Sequence, residues 1–215
     1  MKIRTATGGP AFRTTLFLVL ALAACSSPGP GVARGEALWD GCAPCHGAQG
    51  EGDLTLGAPA IAGLPQWYVF EQLESYERGW RGSHPMDSVG IKMKSMARSL
   101  DLGGDMESVS EFVASLPPVD PEPTLEGGDP VAGEAVYNQA CVSCHQPDGR
   151  GFEGIHAPPL IGQHDWYLLT QYGKFRKGWR GDSPEDIWGR TMAANSEQTD
   201  ERVVVDILAY LASLR

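Results

Sequence analysis

Two pentapeptides of one pattern, Cys42-Ala43-Pro44-Cys45-His46 and Cys141-Val142-Ser143-Cys144-His145, carry the most specific chemistry in this chain. Paired thiols at this spacing can form thioether bonds to the vinyl groups of one haem, with the adjacent imidazole held against the iron. This is the c-type haem attachment signal. A single copy also reads as a redox thiol pair or a zinc half-site. Two copies, each followed by a well-placed methionine, point instead to two covalently bound haem c groups. His46 and His145 are then the proximal iron ligands. A thiol oxidoreductase would need a βαβ pattern around the cysteines; none is evident, and it would leave both histidines unexplained.

The sixth ligand follows from an internal repeat. Shifting the chain by 99 residues superimposes 42–93 on 141–192 without a gap, with 19 of 52 positions identical. The matches include Gly50 with Gly149, Ala58-Pro59 with Ala157-Pro158, Trp67-Tyr68 with Trp166-Tyr167, and Gly79-Trp80-Arg81-Gly82 with Gly178-Trp179-Arg180-Gly181. Met93 and Met192 superimpose at the same offset. A thioether opposite the imidazole raises the potential and closes the iron to other ligands. Met192 has no rival after the second motif, whereas Met86, Met96 and Met106 compete with Met93. Met96 is the serious challenger; Met106 reads as core filler. A repeat this long is a duplicated domain, not a solenoid.

Four of the five cysteines lie in the two motifs, leaving Cys25. Lys2, Arg4 and Arg13 precede an apolar run at 16–24, a secretory signal too short for a comfortable membrane span. Leu22-Ala23-Ala24-Cys25 resembles the bacterial lipoprotein cleavage box, so 1–24 reads as a signal peptide with Cys25 lipidated. The alternative is an ordinary signal with an incidental cysteine. Ser26 favours an outer membrane where one exists. Export suits covalent haem attachment, which in bacteria takes place outside the cytoplasm, and the expected location is the periplasmic side of a membrane. From Cys25 onward there are 14 Lys and Arg against 27 Asp and Glu, a net charge of −13. Phosphate backbones are repelled by such a surface, so nucleic acid is excluded as a partner. Basic docking patches on proteins complement it.

Helical spacing is expected at 32–41, 66–76 and 106–116 in the first half, and at 131–140, 165–175 and 200–214 in the second. In the last of these Val203, Ile207, Tyr210, Leu211 and Leu214 form one apolar stripe. The order is helix, haem motif, Gly/Pro loop, helix, methionine loop, helix. Residues 25–32 read as a tether, 33–116 and 131–215 as two domains, and 117–130 as an extended linker too rich in proline and acid to pack a core. Negative charge near a haem stabilises its ferric form. Residues 33–116 carry a net −6 against −3 for 131–215, so on charge alone the first haem has the lower potential.

On these motifs, together with Ala58-Pro59-Ala60-Ile61-Ala62-Gly63, Ala157-Pro158-Pro159-Leu160-Ile161-Gly162, Tyr167-Leu168-Leu169-Thr170-Gln171 and Asp206-Ile207-Leu208-Ala209-Tyr210-Leu211, residues 33–215 resemble the cytochrome c4 family. The resemblance implies an all-α fold of two tandem class I cytochrome c domains, each a few helices around one haem. In that family the ligand methionine stands seven residues before a leucine. Met93 and Leu100 keep that spacing, whereas Met192 finds Thr199 there. The resemblance also implies that the Pro59 and Pro158 carbonyls accept the proximal histidine Nδ1 protons; a plain turn proline is the alternative. Arg81 and Arg180 are candidates for haem propionates through their guanidinium forks, against a solvated surface role. Trp67, Trp80, Trp166 and Trp179 read as haem-wall or core aromatics. His84, His156 and His164 receive no role.

The function expected is electron transfer between membrane-associated respiratory partners, from a quinol-oxidising complex or dehydrogenase to an acceptor such as a terminal oxidase. The alternatives are a dihaem enzyme of peroxidase or thiosulfate-oxidising type, which needs a labile sixth ligand, or a cytochrome subunit of a larger complex.

Overall fold

Residues 28–100 and 104–215 are described by the computed structural model. The signal segment and Cys25 lie outside them. In the first half α1 (Val32–Leu38) runs through a 3₁₀ turn (Trp39–Gly41) into the one-turn α2 (Ala43–His46), followed by α3 (Gln66–Glu77), α4 (Ser88–Ala97) and α5 (Asp105–Ser115). The second half repeats this with α6 (Pro130–Ala140), α7 (Val142–His145), a 3₁₀ turn (Glu153–Ile155), α8 (Asp165–Arg176), α9 (Ile187–Ser196) and α10 (Glu201–Ser213). The described residues contain no strand, only two isolated bridges, Asp53 with Ala58 and Phe152 with Ala157.

The expected methionine loops are helices. Asp87 and Asp186 cap α4 and α9, each accepting from the backbone N–H three residues on, Gly90 and Gly189, at 2.8 Å. This satisfies a donor that helix geometry would otherwise leave orphaned. Met93 and Met192 therefore ride on capped helices.

In each half the first helix crosses the last at close range. A Cβ on Gly35 would stand 2.1 Å from the Ser108 carbonyl oxygen of α5, and one on Gly133 would stand 2.0 Å from that of Asp206 in α10. Any side chain there would force the crossing apart. Around these crossings lie two cores, one built on Leu73, Met106, Val109 and Val113, the other on Tyr137, Val204, Ile207, Leu208 and Leu211. Met106 is fully buried, as core filler should be. The α10 stripe is centred on Val204, Ile207, Leu208 and Leu211, with Val203 and Tyr210 on its flanks. Tyr210 turns aside to meet the Tyr137 ring at 5.5 Å.

The proline and acid linker has no helix, but it is fastened rather than loose. Thr124 and Leu125 donate three hydrogen bonds to the Asp165 carboxylate, at 2.7–2.8 Å. Leu125 packs on the second core, and Arg215 pairs with Asp120 at 3.1 Å. The expectation that this segment packs no core fails at Leu125, the apolar side chain that follows Thr124.

Candidate functional site

Each haem motif occupies a single helical turn. Cys42 O accepts from Cys45 N and His46 N at 3.1 and 3.0 Å, and Cys141 O from Cys144 N and His145 N at 3.2 and 3.0 Å. The histidine loop is then clamped to the proline loop: Gly52 N donates to His46 O at 2.7 Å, and Gly151 N to His145 O at 3.0 Å. Gly52 and Gly151 have φ of +85° and +75°, and a Cβ on either would strike the proline backbone at 2.6 and 2.5 Å. Only glycine serves there.

That approach sets the imidazoles. His46 Nδ1 lies 2.9 Å from Pro59 O, and His145 Nδ1 lies 2.9 Å from Pro158 O. A carbonyl can only accept, so Nδ1 carries the proton and Nε2 keeps a lone pair for a metal. Burial pushes both imidazoles below their ordinary pKa, opposed by these carbonyls, and so favours the neutral ring that ligates. Burial also raises the Cys42 thiol, and it carries Cys141 up to about 11 with Cys144 adding to the effect. Such thiols are poor nucleophiles, the reverse of a catalytic dithiol. Among the described residues no group of three or more His, Cys, Asp or Glu is placed to hold a metal ion.

In the second half a cavity of about 650 Å³ is lined by Cys141, Cys144, His145, Pro158 and Met192 together. Thr199 lines it as well. The family's leucine is missing there, and the segment is held in another way: the Tyr172 hydroxyl lies 2.9 Å from the carbonyl oxygens of both Ser196 and Thr199. In the first half the equivalent residues, Leu73 and Leu100, both belong to the apolar core. Met93 packs half-buried against that core, as does Cys42. Met96 is 44% exposed and Met86 71% exposed.

Arg81 and Arg180 meet at the contact between the two domains. Arg81 donates to Gln72 Oε1 at 2.6 Å in its own domain, and to Gln171 Oε1 and the Tyr167 hydroxyl, both at 3.0 Å, in the other. Arg180 mirrors it, with Gln171 Oε1 at 3.2 Å and Gln72 Oε1 at 2.8 Å. The guanidiniums stack on Tyr76 at 4.3 Å and Phe175 at 4.4 Å. Burial lowers the pKa of Arg180, and the nearby Arg81 charge lowers it further. Neither guanidinium forms an ion pair with a carboxylate among the described residues. Two enclosed like charges held only by neutral oxygens are a costly arrangement unless anions join them. Both line the cavity that holds His145. A haem brings two propionates, so this cradle fits the group on volume, ligand chemistry and charge.

The sequence reading missed the residues of this contact. Tyr68, Gln72, Asp87 and their repeats were visible only as identical positions of the duplication. The histidines given no role all stand here. His156 pairs with Glu71, His164 Nε2 donates to Glu51 O at 2.9 Å, and His84 stacks on Trp179 at 4.6 Å. Gln163 Nε2 donates to Ala60 O at 2.8 Å. None of Trp67, Trp80, Trp166 and Trp179 belongs to either core, but Trp80 lines the cavity that holds His145; Trp39 belongs to the first core, with its indole N–H on Ala48 O at 3.1 Å.

The cytochrome c family profile matches residues 32–117 and 130–215. Cytochrome c4 of Azotobacter vinelandii is 28% identical over 93% of this chain and 97% of that protein. A protein of Stutzerimonas stutzeri named thiosulfate dehydrogenase electron acceptor is 32% identical over 75% of each chain. The crystal structure of reduced cytochrome c4 from Pseudomonas stutzeri superimposes with a TM-score of 0.64 at 25% identity, covering 86% of this chain and all of that one. The duplicated haem motif, the histidine–proline clamp and these likenesses converge: the chain belongs to the cytochrome c family, as a dihaem electron-transfer protein of the cytochrome c4 type with one covalently bound haem c in each domain.

Proposed function

We propose that the iron in each domain is closed by a histidine and a methionine, His46 with Met93 and His145 with Met192, so that the chain carries electrons and transforms no substrate. The observation that carries this reading is the position of Met192 on the wall of the cavity that also holds His145 and both thiols. Met93 against the first core, with Met96 left exposed, supports the same choice in the other half. When bound, each haem supplies one reversible electron at its iron. The protein's part is to keep the imidazoles oriented through Pro59 and Pro158, exclude water with the two cores, and meet the propionates with Arg81 and Arg180.

We infer likewise that the chain is exported and anchored by lipid on Cys25. Lipid on Cys25 would confine the protein to a membrane surface, where electron donors and acceptors with basic docking faces meet its acidic surface. Mass spectrometry of the mature N-terminus tests the anchor. Cys25→Ser should release soluble protein with both haems intact, and an unmodified N-terminus elsewhere would end that reading.

The carrier reading is tested with carbon monoxide. The reduced protein should show no spectral change with it, and a pyridine haemochrome assay should give two haems per chain that survive acid-acetone extraction. Carbon monoxide binding at either haem would turn the assignment toward an enzyme. A second reading has a specific observation behind it: the Stutzerimonas stutzeri relative is named as the electron acceptor of a thiosulfate dehydrogenase. Reduction of this chain by such an enzyme with thiosulfate present would name the donor and leave the carrier assignment in place.

A further inference from the structure

At one buried point the duplication is broken, and the break touches a single methionine helix. Asp87 and Asp186 cap α4 and α9 alike, but Asp87 Oδ1 also receives Lys174 Nζ at 2.7 Å. Both partners are enclosed, with Lys174 9% and Asp87 5% exposed. Lys174 belongs to α8 of the other domain. Its repeat equivalent is Ser75, and among the described residues no cation pairs with Asp186. The start of α9 is therefore held within its own domain, while the start of α4 is held across the boundary.

We propose that Lys174 is a positioning residue for the first haem, acting through Asp87 from the second domain. The proposal rests on the reading of Met93 as that haem's sixth ligand. Asp87 stands six residues before Met93, about 9 Å along the helix axis. In such an enclosed setting an uncompensated carboxylate on the helix that carries Met93 favours ferric iron, because screening is weak where water is excluded. Lys174 cancels that charge. It also steadies the oxygen that caps the first turn of α4, and with it the approach of Met93. The Tyr167 phenol feels the charges of Arg81, Arg180 and Lys174, and the Tyr76 phenol feels those of Arg81, Arg180 and Asp87. Both arginines line the cavity of the second haem, and among the described residues the cation paired with Asp87 is Lys174. The first haem's potential then depends on an intact domain contact, while the second haem's potential does not depend on this pair.

The test uses the full-length dihaem protein. Spectroelectrochemistry resolves two waves, which Met93→His and Met192→His assign by each depressing its own. Lys174→Met should lower the first-haem wave, so that the reduced-to-oxidised ratio at the wild-type midpoint falls several-fold, with the second wave unmoved. Lys174→Arg should restore most of the shift. Removing one partner of a buried ion pair can unfold a protein, whereas replacing both is often tolerated. The double variant Lys174→Met with Asp87→Asn should therefore fold and bring the first wave back toward wild type. An unmoved first wave, an equal shift of both waves, or a shift confined to the second would overturn the proposal. If Met93→His leaves its wave in place, the ligand reading fails separately, and the Lys174 effect is still read on the wave that Met192→His does not move.

Discussion

Arg81 and Arg180 exchange glutamine partners across the domain boundary. Arg81 Nη2 reaches Gln171 Oε1 at 3.0 Å, and Arg180 Nη2 reaches Gln72 Oε1 at 2.8 Å. Each glutamine oxygen thus serves one guanidinium from each half. The two domains are joined by a symmetric polar knot, with an aromatic ring behind each fork. Planarity is what makes this work, since a guanidinium presents several donors in fixed directions while its face rests on a ring.

Arg81→Lys keeps the charge and loses the fork. An ammonium cannot span Gln72, Gln171 and Tyr167 at once, so bonds at a buried contact are lost and the glutamine oxygens fall back on Arg180. The expected loss of stability is about 1–3 kcal/mol, read by chemical denaturation of the loaded protein. An equal loss should follow Arg180→Lys, given the mirrored geometry. Unchanged midpoints in both variants would show that the knot contributes nothing net.

Asp165 gives a pH signature. Burial works to raise its pKa, but hydrogen bonds from Leu125, Thr124 and Trp166 overcome it and leave the carboxyl below its ordinary 3.8. A depressed folded-state pKa gives stability that is present above the unfolded value and is lost as pH falls through the folded one. At neutral pH Asp165→Asn should cost about 1.5–3 kcal/mol, the usual worth of hydrogen bonds to a charged group. The gap between variant and wild type should begin to close below pH 3.8. A gap that stays constant through that range would remove the charge from the explanation.

The helices and haem motifs were legible because their signals are local. Helical spacing put α3 and α8 within a residue or so of their observed ends, and Cys-x-x-Cys-His needs no tertiary context. The capped helix under Met93 was missed because its signal is a single aspartate, Asp87, in a stretch that contains Gly79, Gly82, Pro85 and Gly90. The domain contact was missed because nothing in the spacing of Gln72 or His156 says that the other half completes its bonding. Counting charge by sequence half is blind to the same contact. Lys174 was assigned to the second domain, yet its ammonium lies 2.7 Å from a carboxylate of the first. Charge acts through distance, and the chain order of a duplicated protein does not report distance across its interface.

Tyr172→Phe tests how the second half manages without the family's leucine. The hydroxyl ties α8 to both Ser196 and Thr199. Its loss removes the one hydroxyl proton that these two carbonyls share, at a cost of about 1–2 kcal/mol. The α9 segment carrying Met192 should loosen, seen as weakening of the absorption band of methionine-ligated ferric haem at one of the two haems. Tyr172→Phe with Thr199→Leu rebuilds the apolar solution of the first half and should recover part of the band. An unaltered band in the single variant would mean that α9 is held by its Asp186 cap alone.

Replacing methionines one at a time separates ligand from bystander. Met192 shares its cavity with His145, Cys141 and Cys144, so Met192→Leu should open that iron and allow carbon monoxide to bind the reduced protein. In the first half the two rivals lie three residues apart on α4 and differ in surroundings. Met93 packs half-buried against the core, whereas Met96 is 44% exposed. A thioether that holds iron must be kept from water by its neighbours, since its bond to ferric iron is weak enough to be displaced. Met93→Leu should therefore admit carbon monoxide and lower one potential strongly. Met96→Leu should do neither, with an effect on stability within about 0.5 kcal/mol, as for most surface changes. Carbon monoxide binding by Met96→Leu, with Met93→Leu silent, would transfer the ligand role to Met96 and require α4 to rotate as the haem binds.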